Sequence, residues 1–434
     1  MFAAAVGAMG SPATLGAPSD SAFVQWARAH AQPLPPSDTV SDGAFEPFGA
    51  IVGRARVVAF GEPAHDTHEP LAFRNRLFRY LVERLGFTTI VLESGLTESY
   101  RVHQYVSGDA GDLTEVVANG ITWGFGRLAE SRELVGWLRQ YNQDSVHRRK
   151  VHFYGMDLTG GDTDQLPQAR RAVDFALRYL ASRDPSIGQN LANRFEPYLE
   201  RFSASDYRTL SPADRVKLSG LIDELREAIE RAGAADGGEA LDWALRSAMV
   251  ARQLETFFRL TPAEMPTLER PAGGNMSRAS GARDSSMAAN LRWILSREGP
   301  TARVLVFAHN NHIMNAPLTG GIWTPLRVTS PVLGVNLRRW LHQDLVLIAS
   351  SAASVSGGLP PLEPDPNSLD DLFARVGFER FVLDFRAARS DRQAWAWLGR
   401  PRSFRSAITS HVRIVPRTAY DAVVYLGSLS PAQH

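Results

Sequence analysis

Two short stretches concentrate side chains suited to acid–base chemistry. The first is Gly61-Glu62-Pro63-Ala64-His65-Asp66-Thr67-His68-Glu69-Pro70, and the second is Ala308-His309-Asn310-Asn311-His312. An imidazole whose pKa lies near neutrality is the natural general base, and a neighbouring carboxylate fixes its tautomer and stabilises the imidazolium that forms. His65 with Glu62 fits that description. Asp66 and Glu69 fit a capping box for a following helix, with Pro70 tolerated in its first turn. Four of the 11 histidines fall in two H-x-x-H pairs, His65/His68 and His309/His312. That spacing leaves a metal-dependent hydrolase, with Glu62 and Glu93 as further ligands, open as a reading. No G-x-S-x-G elbow, G-x-x-x-x-G-K-[ST] phosphate loop or strand-linked G-x-G-x-x-G is present, so serine nucleophiles and nucleotide use lack support.

The elements that must carry these residues are short, β-branched apolar runs. Arg56–Glu62, Thr88–Glu93, Val151–Asp157 and Arg303–His309 each end in an ionisable residue: Glu62, Glu93, Asp157 and His309. Later runs are Leu345–Ser350, Arg380–Phe385 and Ala422–Leu426. Continuous apolar strands alternating with helical patterns predict an α/β fold, a mostly parallel central sheet flanked by helices. Ligands bind beyond the carboxyl ends of such strands, so the four termini are expected at one rim. Leu77, Phe78, Leu81 and Leu85 mark a helix after the first strand, with Arg74 two turns in. Leu218, Leu221, Ile222, Leu225 and Ile229 mark long amphipathic helices in a region without convincing strands.

The expected organisation is a flexible N-terminal segment over 1–40, a first part of the α/β core over 41–162, a helical insertion over 163–261 and a second core part over 262–434. Pro262–Asp284 reads as a flexible return. The chain has 434 residues, with 47 basic and 46 acidic side chains and a formal charge of +1. Bulk electrostatics therefore gives no argument for nucleic acid or an anionic membrane as partner. Cysteine is absent, which removes disulfides and thiolate chemistry. No apolar run is long enough to span a bilayer, and a cytoplasmic location is the default expectation. Lys150 and Lys217 are the only lysines, so arginine abundance is a compositional habit rather than a sign of anion sites.

At these residues the chain resembles the erythromycin esterase family. The resemblance rests on Val58 through Glu69, Arg74, Leu92-Glu93, Trp123, Glu133 through Arg139, Phe153 through Asp157, Arg283 through Met287 and Ala308 through His312, in that order. It implies an α/β core with helical elaboration and hydrolysis of a macrolide lactone or related ester. By position, His65 would activate water, and Glu62 and Glu93 would orient it or a neighbouring basic group. Arg74 would organise the carboxylates, while His309 and His312 would polarise the carbonyl or protonate the leaving alcohol. Trp123 and Asp157 would contribute to substrate binding, and Arg283 and Asp284 would anchor a loop. The family commonly has Thr or Ser before the catalytic histidine and Gly after it; here those positions are Ala64 and Asp66. No cofactor or resident metal is expected, the partner is a small-molecule ester or macrolide, and the assembly is a monomer or homodimer. Acyl transfer to an alcohol in a natural-product pathway, and sequestration of a small apolar ligand, remain alternatives.

Overall fold

The computed structural model describes residues 19–35, 42–158, 169–234, 237–262, 275–321, 323–326, 329–362 and 365–434. Its centre is an eight-stranded sheet in the order β1-β8-β11-β6-β2-β5-β3-β4. The strands are β1 (Gln32–Pro33), β2 (Val57–Glu62), β3 (Thr89–Gly95), β4 (His152–Asp157), β5 (Val304–His309), β6 (Leu345–Ser351), β8 (Phe381–Asp384) and β11 (Ala422–Tyr425). Two smaller pairs complete the β structure of the described residues: β7 (Ser354–Val355) with β12 (Ser428–Leu429), and β9 (Arg402–Ala407) with β10 (Ser410–Ile414). The run β11-β6-β2-β5-β3-β4 is parallel, and β8 and β1 add antiparallel pairing at one edge.

Every residue of β2, β3, β5 and β6 is buried, as expected of strands covered on both sides. Alternate side chains enter opposite cores. Val57, Ala59, Val91, Val304 and Val306 join one apolar cluster, which contains Phe23, Trp243 and Leu291 from helices. Val58, Phe60, Ile90, Leu305 and Phe307 join the other, with Leu77, Phe78, Val102 and Leu138. The helix His68–Leu85 buries Leu71, Leu77, Phe78 and Leu81 and stops at Gly86, whose φ of 70° takes the left-handed form that terminates helices without a Cβ penalty.

Between β4 and β5 the α-helices of the described residues are Arg170–Arg183, Pro185–Leu199, Pro212–Gly233, Glu239–Leu260 and Asn275–Arg297, and no strand lies among them. Their apolar faces share the first cluster with the sheet.

Three expectations need correction. Residues 20–30 of the expected flexible segment form a packed helix that buries Phe23, Trp26 and Ala27, while residues 1–18 lie outside the described ones. The expected flexible return ends much earlier than Asp284, because Asn275 already begins a helix running to Arg297; residues 263–274 lie outside the described ones. The capping box is not formed. Thr67 is the N-cap and makes no side-chain cap bond, and Glu69 is engaged elsewhere, as described below.

Candidate active site

The strand order places β2, β5, β3 and β4 side by side, so Glu62, His309, Glu93 and Asp157 end adjacent strands at one rim. Glu62 and His309 are register partners across the β2–β5 ladder. Side-chain and backbone bonds tie these strand ends together. Ser350 Oγ donates to the Gly61 carbonyl at 2.6 Å, Asn310 Nδ2 to the Ser350 carbonyl at 2.8 Å, and Tyr420 Oη to the Asn310 carbonyl at 3.0 Å. At β3 the register with β4 shifts between Leu92 and Gly95, a bulge that re-aims Glu93. Thr122 and Ser94 lock that bulge: Gly95 N–H donates to Thr122 Oγ1 at 2.8 Å and Thr122 N–H to Ser94 Oγ at 2.9 Å.

His65 stands in the loop after β2, with its Nδ1 2.6 Å from Glu62 Oε1. The side chain of His65 is 48% exposed whereas that of Glu62 is 1% exposed. A buried carboxylate thus orients a solvent-reachable imidazole, leaving Nε2 as the atom available for proton transfer. Burial alone would lower the imidazole pKa, but the charge and hydrogen bond of Glu62, with Glu93 behind it, outweigh that and raise it to about 9. Burial raises Glu62 in turn, against the pull of His65. Glu62 Oε2 is buried and has no hydrogen-bond partner among the described residues. Glu62 borders a small cavity of about 10 Å³, lined also by Arg74, Glu93, Ser94 and Phe125.

His309 packs 4.9 Å from the His65 ring, centroid to centroid. Its Nδ1 accepts the Asn311 N–H at 3.1 Å. Burial, then the charge of His65, pushes its pKa down to about 3, which keeps it a neutral imidazole. Its backbone N–H donates to Glu93 Oε2 at 2.8 Å.

Glu93 is also gripped by Arg283, whose Nη2 donates to Oε1 at 2.8 Å. His312 Nε2 lies 3.3 Å from the same oxygen. Burial would raise this carboxyl, but His312, Arg283 and His65 overcome burial and hold it well below the usual carboxylate range. His312 Nδ1 is 2.8 Å from Asp284 Oδ1. Burial opposes its charge, and Glu93 and Asp284 prevail and raise it.

Arg283 is the residue that sequence reasoning undervalued. Its guanidinium donates to both Asp157 oxygens through Nε, at 3.1 and 3.2 Å, and to Glu93 through Nη2. It lies 5.4 Å from the Trp123 ring centre. Trp123 donates from Nε1 to Asp157 Oδ2 at 3.1 Å and is 40% exposed. Its φ of 61° is an uncommon conformation for a bulky residue, which the surrounding bonds hold in place. Arg74 does not take the expected role of direct organiser. It is buried and donates twice to Asn75 Oδ1, at 3.1 and 2.9 Å, with its guanidinium 4.8 Å from the Phe307 ring centre. Burial lowers its pKa to about 10, and Glu62 is the leading charge opposing that. Arg283 and Asp284, expected to anchor a loop, instead lie in the Asn275–Arg297 helix and reach into the site. A spacing signal was present: Met276, Ala279, Arg283, Met287, Leu291 and Ile294 recur at helical intervals.

His68 points away from this cluster, with Nδ1 2.6 Å from Glu130 Oε1. The two H-x-x-H pairs therefore do not converge as a four-histidine site. Asp66, where the family commonly has Gly, has φ of 57°, the left-handed conformation that glycine adopts freely.

The erythromycin esterase family model matches residues 82–428. Erythromycin esterase type II of Escherichia coli is 25% identical over 310 residues, covering 68% of this chain and 70% of its own. Erythromycin esterase type I of Escherichia coli is 27% identical over 294 residues, covering 63% and 66%. A Bacillus cereus protein of solved structure superposes with a TM-score of 0.78 at 23% identity, covering 96% of this chain and 99% of that one. A mutant of the erythromycin esterase EreC in its open conformation superposes with a TM-score of 0.68 at 19% identity, covering 91% and 96%. These structural likenesses concern the fold.

Proposed function

The chain belongs to the erythromycin esterase family, and from that premise we propose that it hydrolyses a macrolide lactone or a related carboxylic ester by activating water at His65. The observation that carries this reading is the 2.6 Å contact between the half-exposed His65 and the buried Glu62. In the proposed step the neutral His65 accepts a proton at Nε2 from water as the water oxygen bonds to the ester carbonyl carbon. Glu62 stabilises the imidazolium formed. Collapse of the tetrahedral intermediate breaks the carbon–alkoxy bond, and the His65 proton passes to the leaving oxygen. The products are an alcohol and a carboxylic acid, which releases its proton to solvent as the carboxylate, and in a lactone the two remain one molecule. The exposed Trp123 ring and Phe125, whose ring meets His65 edge-on at 5.5 Å, offer apolar surface beside the reacting centre. Erythromycin esterases of Escherichia coli among the relatives support a macrolide as substrate.

Mass spectrometry of the purified protein against a panel of macrolides and simple esters tests this. The expected result is a product heavier by one water for a lactone, and no such product with His65→Ala. Turnover undiminished by that substitution would overturn the assignment of His65.

A further inference from the structure

The loop that carries His65 is held by a distant part of the chain. After β11 the backbone turns and runs across residues 64–69. Leu429 is fully buried in a small apolar cluster with Ala64 and Ala352, so Ala64 supplies the apolar contact that a hydroxyl residue would interrupt. Pro431 bridges Thr67 in antiparallel fashion. His68 N–H donates to the Ser430 carbonyl at 2.9 Å, and Ala432 N–H donates to the Asp66 carbonyl at 2.9 Å. Glu69, itself buried, receives Ser430 twice: the N–H at Oε2 and the hydroxyl at Oε1, both 2.7 Å. Gln433 N–H reaches Glu130 Oε1 at 3.1 Å, the oxygen that also meets His68, and Ala129 N–H donates back to the Gln433 carbonyl at 2.7 Å.

We propose that residues 428–433 form a positioning strap for the catalytic loop, with Ser430 and Glu69 as positioning residues that hold His65 against Glu62. The physical need is visible at Asp66. A non-glycine residue at positive φ persists only where neighbours over-determine it, and the Ala432 N–H on its carbonyl is one such neighbour. Among the described residues Glu62 is the hydrogen-bond partner of the His65 ring, and half of that side chain faces solvent. Backbone bonds at Asp66 and His68 on one side of His65, and the apolar Ala64–Leu429 contact on the other, therefore fix the imidazole at hydrogen-bonding distance, within the tolerance that proton transfer demands.

This inference rests on the reading of His65 as the base, but its test does not need turnover. The charged and titratable groups around His65 are Glu62 at the end of β2, Glu93 near the end of β3, His309 at the end of β5 and Arg283 on the Asn275–Arg297 helix, with Asp66 next in the chain. Ser430→Ala changes none of them. It removes one hydroxyl that touches Glu69.

In full-length protein labelled with 15N-histidine, the His65 signal is identified by its loss in His65→Asn and titrated by NMR. If the strap holds the imidazole on Glu62, Ser430→Ala lowers the His65 midpoint by about one pH unit, toward the unperturbed value near 6.5. Ser430→Thr, which keeps the hydroxyl, restores it, and Glu69→Ala produces a shift in the same direction. In each folded variant kcat falls more than KM changes. A His65 midpoint in Ser430→Ala that coincides with wild type, with only the melting temperature lowered, would overturn the proposal. A shifted midpoint in a protein that turns over no ester would sink the assigned reaction and leave the strap standing.

Discussion

At the scale of single residues, the site is defined by what each group's neighbours do to its proton. In the proposed reaction His65 must be neutral to accept a proton, yet Glu62 and Glu93 hold its pKa up at about 9 against the effect of burial. A base raised in this way is active above its pKa, so kcat/KM should climb with pH and level off beyond about 9. His309, kept neutral with a pKa of about 3, adds no further limb near neutrality. The His65→Ala protein should lose the alkaline limb together with about 10²- to 10⁴-fold in rate; a pH profile that keeps its shape in that variant would argue for another base. Arg283 calls for a different measurement. It joins Glu93 to Asp157, and removing one member of a buried ion cluster costs about 3–5 kcal/mol because the partners stay buried and unpaired. Arg283→Ala should therefore unfold at markedly lower urea, and Arg283→Lys should recover only part, since a single ammonium cannot fork between two carboxylates. The Glu93 carboxyl is depressed in the fold, so its contribution is present above the unfolded-state pKa near 4.3 and lost as acid protonates it. That Glu62, His65, Glu93 and His309 come together was legible in the sequence because each ends or follows an apolar run. The role of Arg283 was missed although apolar residues recur around it at helical spacing, because the glycines and serines just before it read as a flexible return.

At the scale of elements, the site is a property of four neighbouring strand ends and the bulge in one of them. Runs of buried β-branched residues announce the strands themselves. Their order cannot be read from such runs, because β5 enters between β2 and β3 only after the chain has passed through the helices from Arg170 to Arg297. The bulge has a specific requirement at Gly155 of β4. A Cβ there would collide with the Ser94 and Gly95 carbonyl oxygens, which belong to the backbone and cannot swing aside. Gly155→Ala should thus push the end of β3 outward and displace Glu93 from Arg283 and His309. Overpacking of this kind costs about 1–3 kcal/mol, and the loss of activity should exceed what that destabilisation alone explains. Thermal melting and kinetics on the same preparation separate the two, and a variant as active as wild type would show that the bulge does not set the Glu93 position. The strap across residues 64–69 was likewise illegible. Asp66 and Glu69 match a capping pattern locally, and only the fold reveals that Ser430, far along the chain, takes Glu69 instead.

At the scale of the whole molecule, the sheet is asymmetric: the strand ends that carry the candidate site lie on its parallel side, while its antiparallel edge is closed by the helix Asp20–His30 and by β1. Composition marks residues before 20 as a poor core-former, but that impression extends too far, since Phe23 and Trp26 supply the apolar stripe that a packed helix needs. Phe23 stacks on Trp397 with ring centres 3.6 Å apart and planes 6° from parallel, and Trp397 Nε1 donates to Asp20 Oδ1 at 2.9 Å. Arg28 adds a second clasp by donating to the carbonyls of Val376 at 2.6 Å and Arg375 at 2.9 Å. This helix therefore covers the apolar face beneath β8 without touching the residues of the site. Phe23→Ala leaves a cavity beside a fully buried indole, and a change of that kind costs about 3–5 kcal/mol. The expected outcome is a substantially lower melting temperature with the NMR titration of His65 unmoved and kcat retained at temperatures where the variant is folded. Loss of the raised His65 midpoint in folded Phe23→Ala would mean that the antiparallel edge is mechanically coupled to the catalytic loop, and that the strap is not its sole distant support.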